Sequence, residues 1–546
     1  MEIIAIFPVE VAGLAWSGSI VTDGGRCAED TMNQQLSINY VIKLTAIFLL
    51  LLQFGCATAP LDFPRENSVF IADTANTDLG REVDEWAAAN PGMSGYYPLI
   101  KGFDALGVRL ALMDRAERTI DVQYFLIKQD TAGILFAGKL LAAADRGVRV
   151  RVLLDDIFTT VDDTVFLLMN QHPNIEIRLF NPIARGGVYA LNYLGNFKLA
   201  NRRMHNKSFT VDNKASVIGG RNIADEYFEL LDNEEFRDFD MLAIGPVATD
   251  ISITFDRFWN HRLALPMEVL DRGTQLADLK TARAGVDKEI LEASRTVYGK
   301  ALSSPLVKDL LDDRLRFFPA QSRVITDDPD KLLNKKSSEH QLLVSQLIDA
   351  VNVAKSEVLV ITPYFIPGKE GVEFWRRIVD KGVRVVIVTN SLASNNHVPV
   401  HSGYARYRHA IIDAGVELYE ARVDSSKSTK ANDQSGYDAM TLHTKALFID
   451  RRHTLVGSLN LDPRSIAINT ELGVLVDSSD LAGALVEGFF EKLPSFTYRV
   501  TENEKGKLRW TGLIDGIEVV ESKEPQASWW LRFKASVMRI MPESQL

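Results

Sequence analysis

The sequence predicts an α/β protein made of two similar halves, each a mostly parallel sheet flanked by helices. Two repeats predict this fold class. A strand–helix–strand pattern occurs twice, and the glycines near the start of its last strands, Gly147 and Gly382, lie 235 residues apart. A short motif also occurs twice, with its first residues, His205 and His443, 238 residues apart. Because such units form parallel strands covered by helices and the two offsets agree, a pseudo-two-fold axis should bring the two motifs together.

Hydrophobic periodicity defines the elements of the strand–helix–strand pattern. The predicted segments are strand 118–125, helix 131–145 and strand 146–154 in the first half, and strand 357–365, helix 370–380 and strand 381–388 in the second. The last strand in each half is rich in Val and Leu, which is typical of a strand buried on both faces.

The short motif has the same spacing in both copies. Each reads His, any residue, Lys, four residues, Asp, six residues, and then Gly-Gly/Ser-any-Asn. The two sets are His205, Lys207, Asp212 and Asn222, and His443, Lys445, Asp450 and Asn460. On an extended segment the His and Lys side chains share one side. One such pair is usually an ordinary surface pair, but two copies in register indicate one site that holds and attacks a phosphate diester.

Composition argues against several classes of protein. The 546-residue chain has a formal net charge of −11, which argues against nucleic acid as the main partner. Its two cysteines, Cys27 and Cys56, give neither a disulfide framework nor a cysteine metal site. His397 and His401 are spaced to share a helix face, but no acidic third ligand lies nearby in the sequence, so no metal site is predicted.

The start of the chain has the parts of an export signal. After Met32 come Lys43, the apolar run 44–52 and then Cys56. This order predicts a signal within 32–56 that ends at a lipidated Cys56, with an uncleaved membrane anchor as the alternative. The apolar run is short for a membrane span, which needs about 20 residues. We also expect translation to start near Met32.

The rest of the chain is divided by composition and periodicity. The predicted parts are a leader (1–56), a tether with a short helix at 79–89 (57–94), the first half (95–265), a connector (266–340), the second half (341–500) and a C-terminal segment (501–546). Residues 423–438 are turn-forming and charged, so they predict a mobile loop at the mouth of the site or a plain surface insertion.

The C-terminal segment contains a predicted amphipathic helix. Trp530, Phe533, Val537 and Ile540 fall at helical spacing, with basic residues between them. Such a helix suits a membrane interface, with Trp at headgroup depth, and equally suits packing against the core.

Both motifs resemble the HKD motif of the phospholipase D superfamily, whose members carry two motifs on two similar α/β halves. Further segments resemble bacterial cardiolipin synthases. The nearest likeness is to the third type, which condenses phosphatidylglycerol with phosphatidylethanolamine, and it depends also on segments 199–207 and 389–393. The full set of these segments is 199–207, 219–227, 237–240, 244–246, 389–393, 457–465 and 469–473. The resemblance covers about residues 95–545 and implies two phospholipase D-like halves with the active site between them.

The resemblance also implies a role for each site residue. His205 would be the nucleophile that forms a phosphohistidine and His443 the acid and base, with the reverse assignment open. Lys207, Lys445, Asn222 and Asn460 would hold the phosphate oxygens, and Ser458, matched by Gly220, would add a hydroxyl contact in one half. Asp238 and Glu471 would orient the histidines. Asp212 and Asp450 are grouped with the catalytic residues, although we expect them to support the motif because they end its strands.

The implied reaction is phosphatidyl transfer that makes cardiolipin from phosphatidylglycerol and a second phospholipid, without a cofactor. A phospholipase D-type phosphodiester hydrolase, acting on phospholipid or on nucleic acid, is the first alternative, and a non-catalytic lipid-binding protein is the second. The expected partners are phospholipid substrates and the membrane surface but no nucleic acid, and a companion protein is left open. The expected location is the exported side of a bacterial envelope membrane, held by Cys56 or by an uncleaved anchor.

Overall fold

The computed structural model describes residues 59–185, 197–228, 234–270, 279–295, 297–333, 342–423 and 439–543. The first half contains a sheet in the order β1–β8–β6–β5–β2–β3–β4–β9. Its strands are β1 (Ser94–Leu99), β2 (Thr119–Tyr124), β3 (Arg149–Asp155), β4 (Ile175–Phe180), β5 (Ser208–Val211), β6 (Ala215–Gly219), β8 (Asp240–Ile244) and β9 (Ala264–Pro266), and β7 (Glu234–Arg237) lies outside this sheet. Its helices are α1 (Asp78–Ala89), α2 (Gly102–Arg115), α3 (Thr131–Asp145), α4 (Asp163–Met169), α5 (Phe197–Ala200) and α6 (Pro246–Trp259).

The second half repeats this order as β10–β17–β16–β15–β11–β12–β13–β18–β19–β20. Its strands are β10 (Phe318–Thr326), β11 (Glu357–Ile361), β12 (Arg384–Asn390), β13 (Glu417–Ala421), β14 (Ala439–Leu442), β15 (Ala446–Ile449), β16 (His453–Gly457), β17 (Leu472–Asp477), β18 (Thr497–Glu502), β19 (Leu508–Ile514) and β20 (Ile517–Glu521). The remaining helices are α7 (Leu279–Ser294), α8 (Val297–Leu302), α9 (Pro305–Leu311), α10 (Leu342–Asn352), α11 (Gly368–Asp380), α12 (Val398–Tyr404), α13 (Arg408–Asp413), α14 (Pro463–Ala467), α15 (Ser479–Phe496) and α16 (Trp529–Met538).

The α/β class and the two similar halves are confirmed, but the strand directions differ from the prediction. Within these two sheets, only β2, β3 and β4, and their counterparts β11, β12 and β13, run parallel to one another, while β7 and β14 pair in parallel outside them. The other pairings within these two sheets are antiparallel, because hairpins such as β5–β6 and β15–β16 add strands beside the crossover units. The predicted mostly parallel sheet is therefore a mixed sheet.

One strand joins the two sheets. β10 pairs with β1 through Phe318–Ala320 and with β17 through Gln321–Thr326. A shared apolar cluster also lies between the halves, with Ile218 and Met241 from the first half and Val456 and Val474 from the second. Each half has its own core as well, and the shared cluster fixes one half against the other.

The segment predicted as a tether packs on the first half. The Arg65 guanidinium donates to the carbonyl oxygens of Arg262 and Ala264, and the backbone N–H of Phe70 donates to Asp256. The predicted helix at 79–89 is α1, which Thr77 caps by accepting from the N–H of Gly80. In the predicted connector, α7 and α8 lie against α3 and α2.

Several predicted features lie outside the described residues. These are the leader with Cys27 and Cys56, and nearly all of the predicted loop 423–438. Within the described part of the chain, no helix is both long and apolar enough to span a bilayer.

Candidate active site

The two HKD motifs lie where the halves meet, and the backbone of one half holds the motif of the other. The backbone N–H of His205 donates to the Thr470 carbonyl oxygen at 3.0 Å, and the N–H of His443 donates to that of Arg237 at 2.8 Å. Only part of the extended segment that carries His205 and Lys207 is a strand, because β5 begins at Ser208 and the residues before it pair across the interface. The predicted meeting of the two motifs at one interface therefore has a direct backbone basis.

Each histidine is also bonded to a carboxylate from the opposite half. Nδ1 of His205 lies 2.9 Å from Glu471 Oε2, and Nδ1 of His443 lies 2.6 Å from Asp238 Oδ2. All four side chains are buried. A carboxylate at Nδ1 fixes the ring orientation and leaves Nε2 as the nitrogen available for chemistry. The resemblance to the family assigned one carboxylate to each half, but it did not predict that each carboxylate binds the histidine of the other half.

Both lysines of the motifs are buried beside their histidines. Lys207 Nζ donates to the carbonyl oxygen of His205 at 2.8 Å, and Lys445 Nζ lies 2.8 Å from Nδ1 of His443 and also bonds the carbonyl oxygen of that residue. Burial lowers the pKa of Lys207 to about 7 and that of Lys445 to about 8, while nearby carboxylates oppose the shift. An anion between these ammonium groups would favour their charged forms.

The histidines are held in the neutral form. Burial, reinforced by the ammonium groups of Lys207 and Lys445, places the pKa of His205 well below its usual value and that of His443 at about 3. Burial raises the pKa of Glu471 to about 7, against the opposing effect of Lys207. The pKa of Asp238 lies below its usual value because Lys445, His443 and Arg221 together outweigh its burial. A neutral imidazole is the form that acts as a nucleophile or a base.

The motif aspartates bind the backbone of the neighbouring strand. The Asp212 carboxylate accepts from the N–H groups of Glu117, Arg118 and Thr119 at 2.8–3.0 Å. Asp450 accepts in the same way from residues 355–357. Both aspartates follow the motif strand at positive φ, in the turn of the hairpin. This geometry agrees with the supporting role expected of both residues, because a carboxylate that accepts from three backbone amides holds two strands together.

The predicted phosphate-binding residues differ in their contacts. Asn222 donates through Nδ2 to the Tyr227 hydroxyl at 2.9 Å, which uses one of its two amide protons. Among the described residues, Asn222 Oδ1 and Asn460 Oδ1 are buried without a hydrogen-bond partner, so both amides can still form hydrogen bonds. The Ser458 hydroxyl donates to Glu471 and accepts from the N–H of Leu472. Ser458 therefore supports Glu471, and the predicted substrate contact stays a prediction.

Three aromatic side chains pack against the histidines, and sequence reasoning missed all of them. Phe125 meets His205 edge-on with ring centroids 4.8 Å apart, and Phe236 stacks on His443 at 5.1 Å. Tyr227 meets His443 edge-on at 5.2 Å. The one available signal was position, because Phe125 follows the end of β2, at the edge where parallel strands place functional groups.

The described residues place cations but no metal cluster at the site. No group of three or more His, Cys, Asp or Glu side chains among them is arranged to hold a metal ion. His401 instead lies 3.1 Å from the Arg408 guanidinium, in the second half. Two neutral imidazoles and two lysines lie close together where the halves meet, and with the amides of the two motifs they form a set suited to binding and attacking a phosphate diester.

Comparisons with known proteins agree with this geometry. A family model described as "Cardiolipin synthase, PLD-like domain" matches residues 110–259 and 347–493, one range in each half. The chain is 38% identical to cardiolipin synthase C of Escherichia coli (strain K12) over 83% of this chain and 96% of that protein. It is 26% identical to cardiolipin synthase A of Pseudomonas syringae pv. syringae (strain B728a), over 70% of this chain and 65% of that protein.

A solved structure shares the fold of this chain. Phosphatidylserine synthase of Haemophilus influenzae Rd KW20 aligns with a TM-score of 0.53 and 13% identity, over 84% of this chain and 96% of that chain. The chain is therefore a transferase that belongs to the cardiolipin synthase family of the phospholipase D superfamily.

Proposed function

We propose that this phospholipid phosphatidyltransferase makes cardiolipin from phosphatidylglycerol and a second phospholipid, either phosphatidylglycerol or phosphatidylethanolamine. The observation that carries the proposal is the pair of buried histidines, each bonded at Nδ1 to a carboxylate and accompanied by a buried lysine. Two such histidines divide the work of a two-step transfer, whereas binding alone requires neither.

In the first step Nε2 of His205 attacks the phosphorus of the donor lipid. A P–N bond forms and the P–O bond to the headgroup alcohol breaks, while His443 gives that oxygen a proton. The products are a phosphatidyl-histidine and free glycerol or ethanolamine. Lys207 and Lys445, with Asn222 and Asn460, stabilise the negative charge that develops on the phosphate oxygens.

In the second step the headgroup hydroxyl of phosphatidylglycerol attacks the same phosphorus. His443 takes the hydroxyl proton, the new P–O bond forms, and the P–N bond to His205 breaks. His443 must be protonated in the first step, although its pKa of about 3 favours the neutral ring. A phosphodiester anion placed against Lys445 offsets the ammonium charge and raises that pKa toward the range needed for an acid.

Lipid profiling tests the reaction. Vesicles of phosphatidylglycerol, with and without phosphatidylethanolamine, are incubated with the full chain and their lipids are identified by mass spectrometry. We expect cardiolipin in both, with more of it and free ethanolamine when phosphatidylethanolamine is present. Phosphatidic acid as the main product would show that water is the acceptor and that the enzyme is a hydrolase.

Histidine substitutions test the two-step route. His205→Asn and His443→Asn should each lower kcat by about 10⁴-fold or more, because each removes a group that takes part in both steps. The control is His261→Asn, since His261 bonds Asp330 and not a motif residue. An acid-labile phosphatidyl group that stays on His205 in the slow His443 variant identifies His205 as the nucleophile. The same group found on His443 in the His205 variant would reverse the assignment.

We also propose that the chain works on the exported side of an envelope membrane and that Cys56 carries its lipid anchor. The apolar run at 44–52 and the position of Cys56 support this. Mass spectrometry of the native protein should show an N-terminal acylated cysteine, and Cys56→Ser should abolish the acylation. An intact chain that keeps residues 44–52 would instead indicate an uncleaved anchor.

A further inference from the structure

The helix α16 presents an apolar face to solvent. Trp529, Trp530, Phe533 and Val537 are 62%, 69%, 49% and 48% exposed, and Ile540, just beyond the helix, is 86% exposed. The rings form a continuous surface, because Trp529 stacks on Phe533 with centroids 5.5 Å apart and Trp530 meets Trp529 edge-on at 4.7 Å. Side chains of this size are usually buried, and a contiguous exposed patch of them marks an interaction site.

The opposite face of α16 fixes the helix to the second half. Ala535 is buried and clusters with Leu392 and the partly buried Leu531. The Ser402 hydroxyl donates to the Ala535 carbonyl oxygen at 2.8 Å, which ties α16 to α12. The helix is therefore docked through its small and aliphatic residues while the aromatic residues point away from the protein.

Basic residues accompany the aromatic patch. Lys534 and Arg539 are exposed, and Arg532 is partly exposed next to the Glu524 carbonyl oxygen. A helix with exposed Trp and Phe beside Lys and Arg matches the interfacial zone of a bilayer that contains anionic lipid, where Trp lies at headgroup depth. Basic residues near such a surface are attracted to its negative charge.

A short series of contacts leads from α16 to the second HKD motif. Leu392, against which α16 packs, comes two residues after Asn390 at the carboxyl end of β12. The Asn390 amide donates to the carbonyl oxygen of Leu442 at 2.8 Å, and Leu442 directly precedes His443. A bilayer held by α16 therefore lies near the edge of the sheet that carries the site.

We propose that α16 docks into the interfacial region of a bilayer containing anionic phospholipid, through Trp529, Trp530, Phe533, Val537 and Ile540. This surface holds the enzyme against the membrane from which its substrates come, and that purpose rests on the proposed function. The docking itself depends only on the exposed face and its charge.

Fluorescence quenching tests the docking without reference to activity. The full chain is bound to phosphatidylcholine vesicles with brominated acyl chains, with and without phosphatidylglycerol. Bromine quenches Trp529 and Trp530 only if they enter the bilayer, and Trp529→Phe with Trp530→Phe should remove most of the quenching. Quenching should be stronger with phosphatidylglycerol and should weaken as salt is raised.

A docking variant tests the consequence for turnover. Trp530→Gln with Phe533→Gln should abolish quenching of Trp529 and lower the rate on vesicles by roughly tenfold, since it removes two apolar anchors. The rate on short-chain phosphatidylglycerol dispersed as monomers should stay unchanged. The matched control is Ile253→Gln with Leu311→Gln, which replaces two side chains of similar exposure outside α16.

The outcomes separate the two proposals. Normal quenching and vesicle rates in the docking variant would overturn the docking, even if cardiolipin is made. Normal quenching by the unaltered chain without any lipid product would overturn the proposed reaction and leave the docking standing. Absence of quenching together with a dimer that the docking variant dissociates would show that α16 binds a second copy, which also overturns the inference.

Discussion

Gly220 and Ser458 occupy the same place in the two motifs but face carboxylates of different length. A Cβ on Gly220 would lie 2.2 Å from Asp238 Oδ1, whereas the Ser458 hydroxyl donates to the longer Glu471. Asp238 has little room to move, because it accepts from the N–H of Phe239 at 2.8 Å and holds His443. The absence of a side chain at residue 220 is thus required by the carboxylate that orients His443.

Gly220→Ala should lower kcat by about 10–100-fold, because the new methyl group displaces Asp238 from His443. Steady-state kinetics and thermal unfolding measure the two effects separately. Ser458→Ala is the matched variant. It adds no atoms and removes one hydrogen bond to Glu471, so a smaller loss of kcat is expected. An unchanged kcat in folded Gly220→Ala would contradict the role given to Asp238.

Activity should be confined to a pH range set by the lysines and Glu471. Below about pH 7 protonation of Glu471 weakens its bond to Nδ1 of His205, and above pH 7–8 Lys207 and Lys445 lose the charge that binds phosphate. The profile of kcat/KM against pH should therefore be bell-shaped, with limbs that belong to the cluster as a whole. A rate that stays flat from pH 6 to pH 9 would contradict this electrostatic description of the site.

Much of the site could be predicted at the residue scale, since two copies of one spacing pattern identify the histidines, lysines and asparagines. The carboxylates Asp238 and Glu471 were identified only by the resemblance to the family, because a single Asp or Glu has no characteristic spacing in the sequence. Phe125, Tyr227 and Phe236 were missed because aromatic residues near strand ends are ordinarily core residues. Their contact with the imidazole rings depends on tertiary packing.

At the scale of elements, the motif aspartates anchor each motif hairpin to the strand beside it. Asp212 is fully buried, while Asp450 is partly exposed, although both accept from three backbone N–H groups. Burial keeps the pKa of Asp212 above its usual value, whereas its amide partners hold that of Asp450 below it. The same hydrogen bonds therefore matter more where water cannot replace them.

Asp212→Ala should lower the free energy of unfolding by about 2–3 kcal/mol, because three amides lose their acceptor in a buried position. Asp450→Ala should cost about 1 kcal/mol, since water reaches its amides more readily. Urea denaturation measures both values. Equal losses would show that burial does not set the difference, and total loss of activity in folded Asp212→Ala would indicate a direct catalytic role.

The order of elements was predictable from periodicity, and the strand directions were not. The crossover units 118–154 and 357–388 have the apolar runs of parallel strands, and the structure places β2, β3, β11 and β12 there. In short strands such as β5 and β6, alternating polar and apolar residues predict an extended conformation. They do not predict which strand each one pairs with. His205 falls before β5 because its N–H is taken by Thr470, a residue 265 positions away.

At the scale of the whole molecule, β10 and the shared apolar cluster make the halves one folding unit. The two sheets are joined through β1, β10 and β17, and buried residues of both halves pack in one cluster. Unfolding of either half exposes that cluster and breaks the continuous sheet, so neither half should remain folded alone.

A single unfolding transition should therefore be observed for both halves. Fluorescence of Trp259 in the first half and of Trp510 in the second, each isolated with Trp→Phe variants of the others, should give one denaturation midpoint. Asp212→Ala in the first half should lower the midpoint reported by Trp510 as well. Two separated midpoints would show that the halves unfold independently.

The exchange of carboxylates between halves has a consequence for inheritance. A duplicated gene segment usually leaves a spare copy that is free to drift while the other keeps its role. Here Glu471 orients His205 and Asp238 orients His443, so neither half alone contains both a catalytic histidine and the carboxylate that orients it. A damaging substitution in either half inactivates the one active site that the halves share. Selection must therefore preserve both halves together for as long as the enzyme is needed.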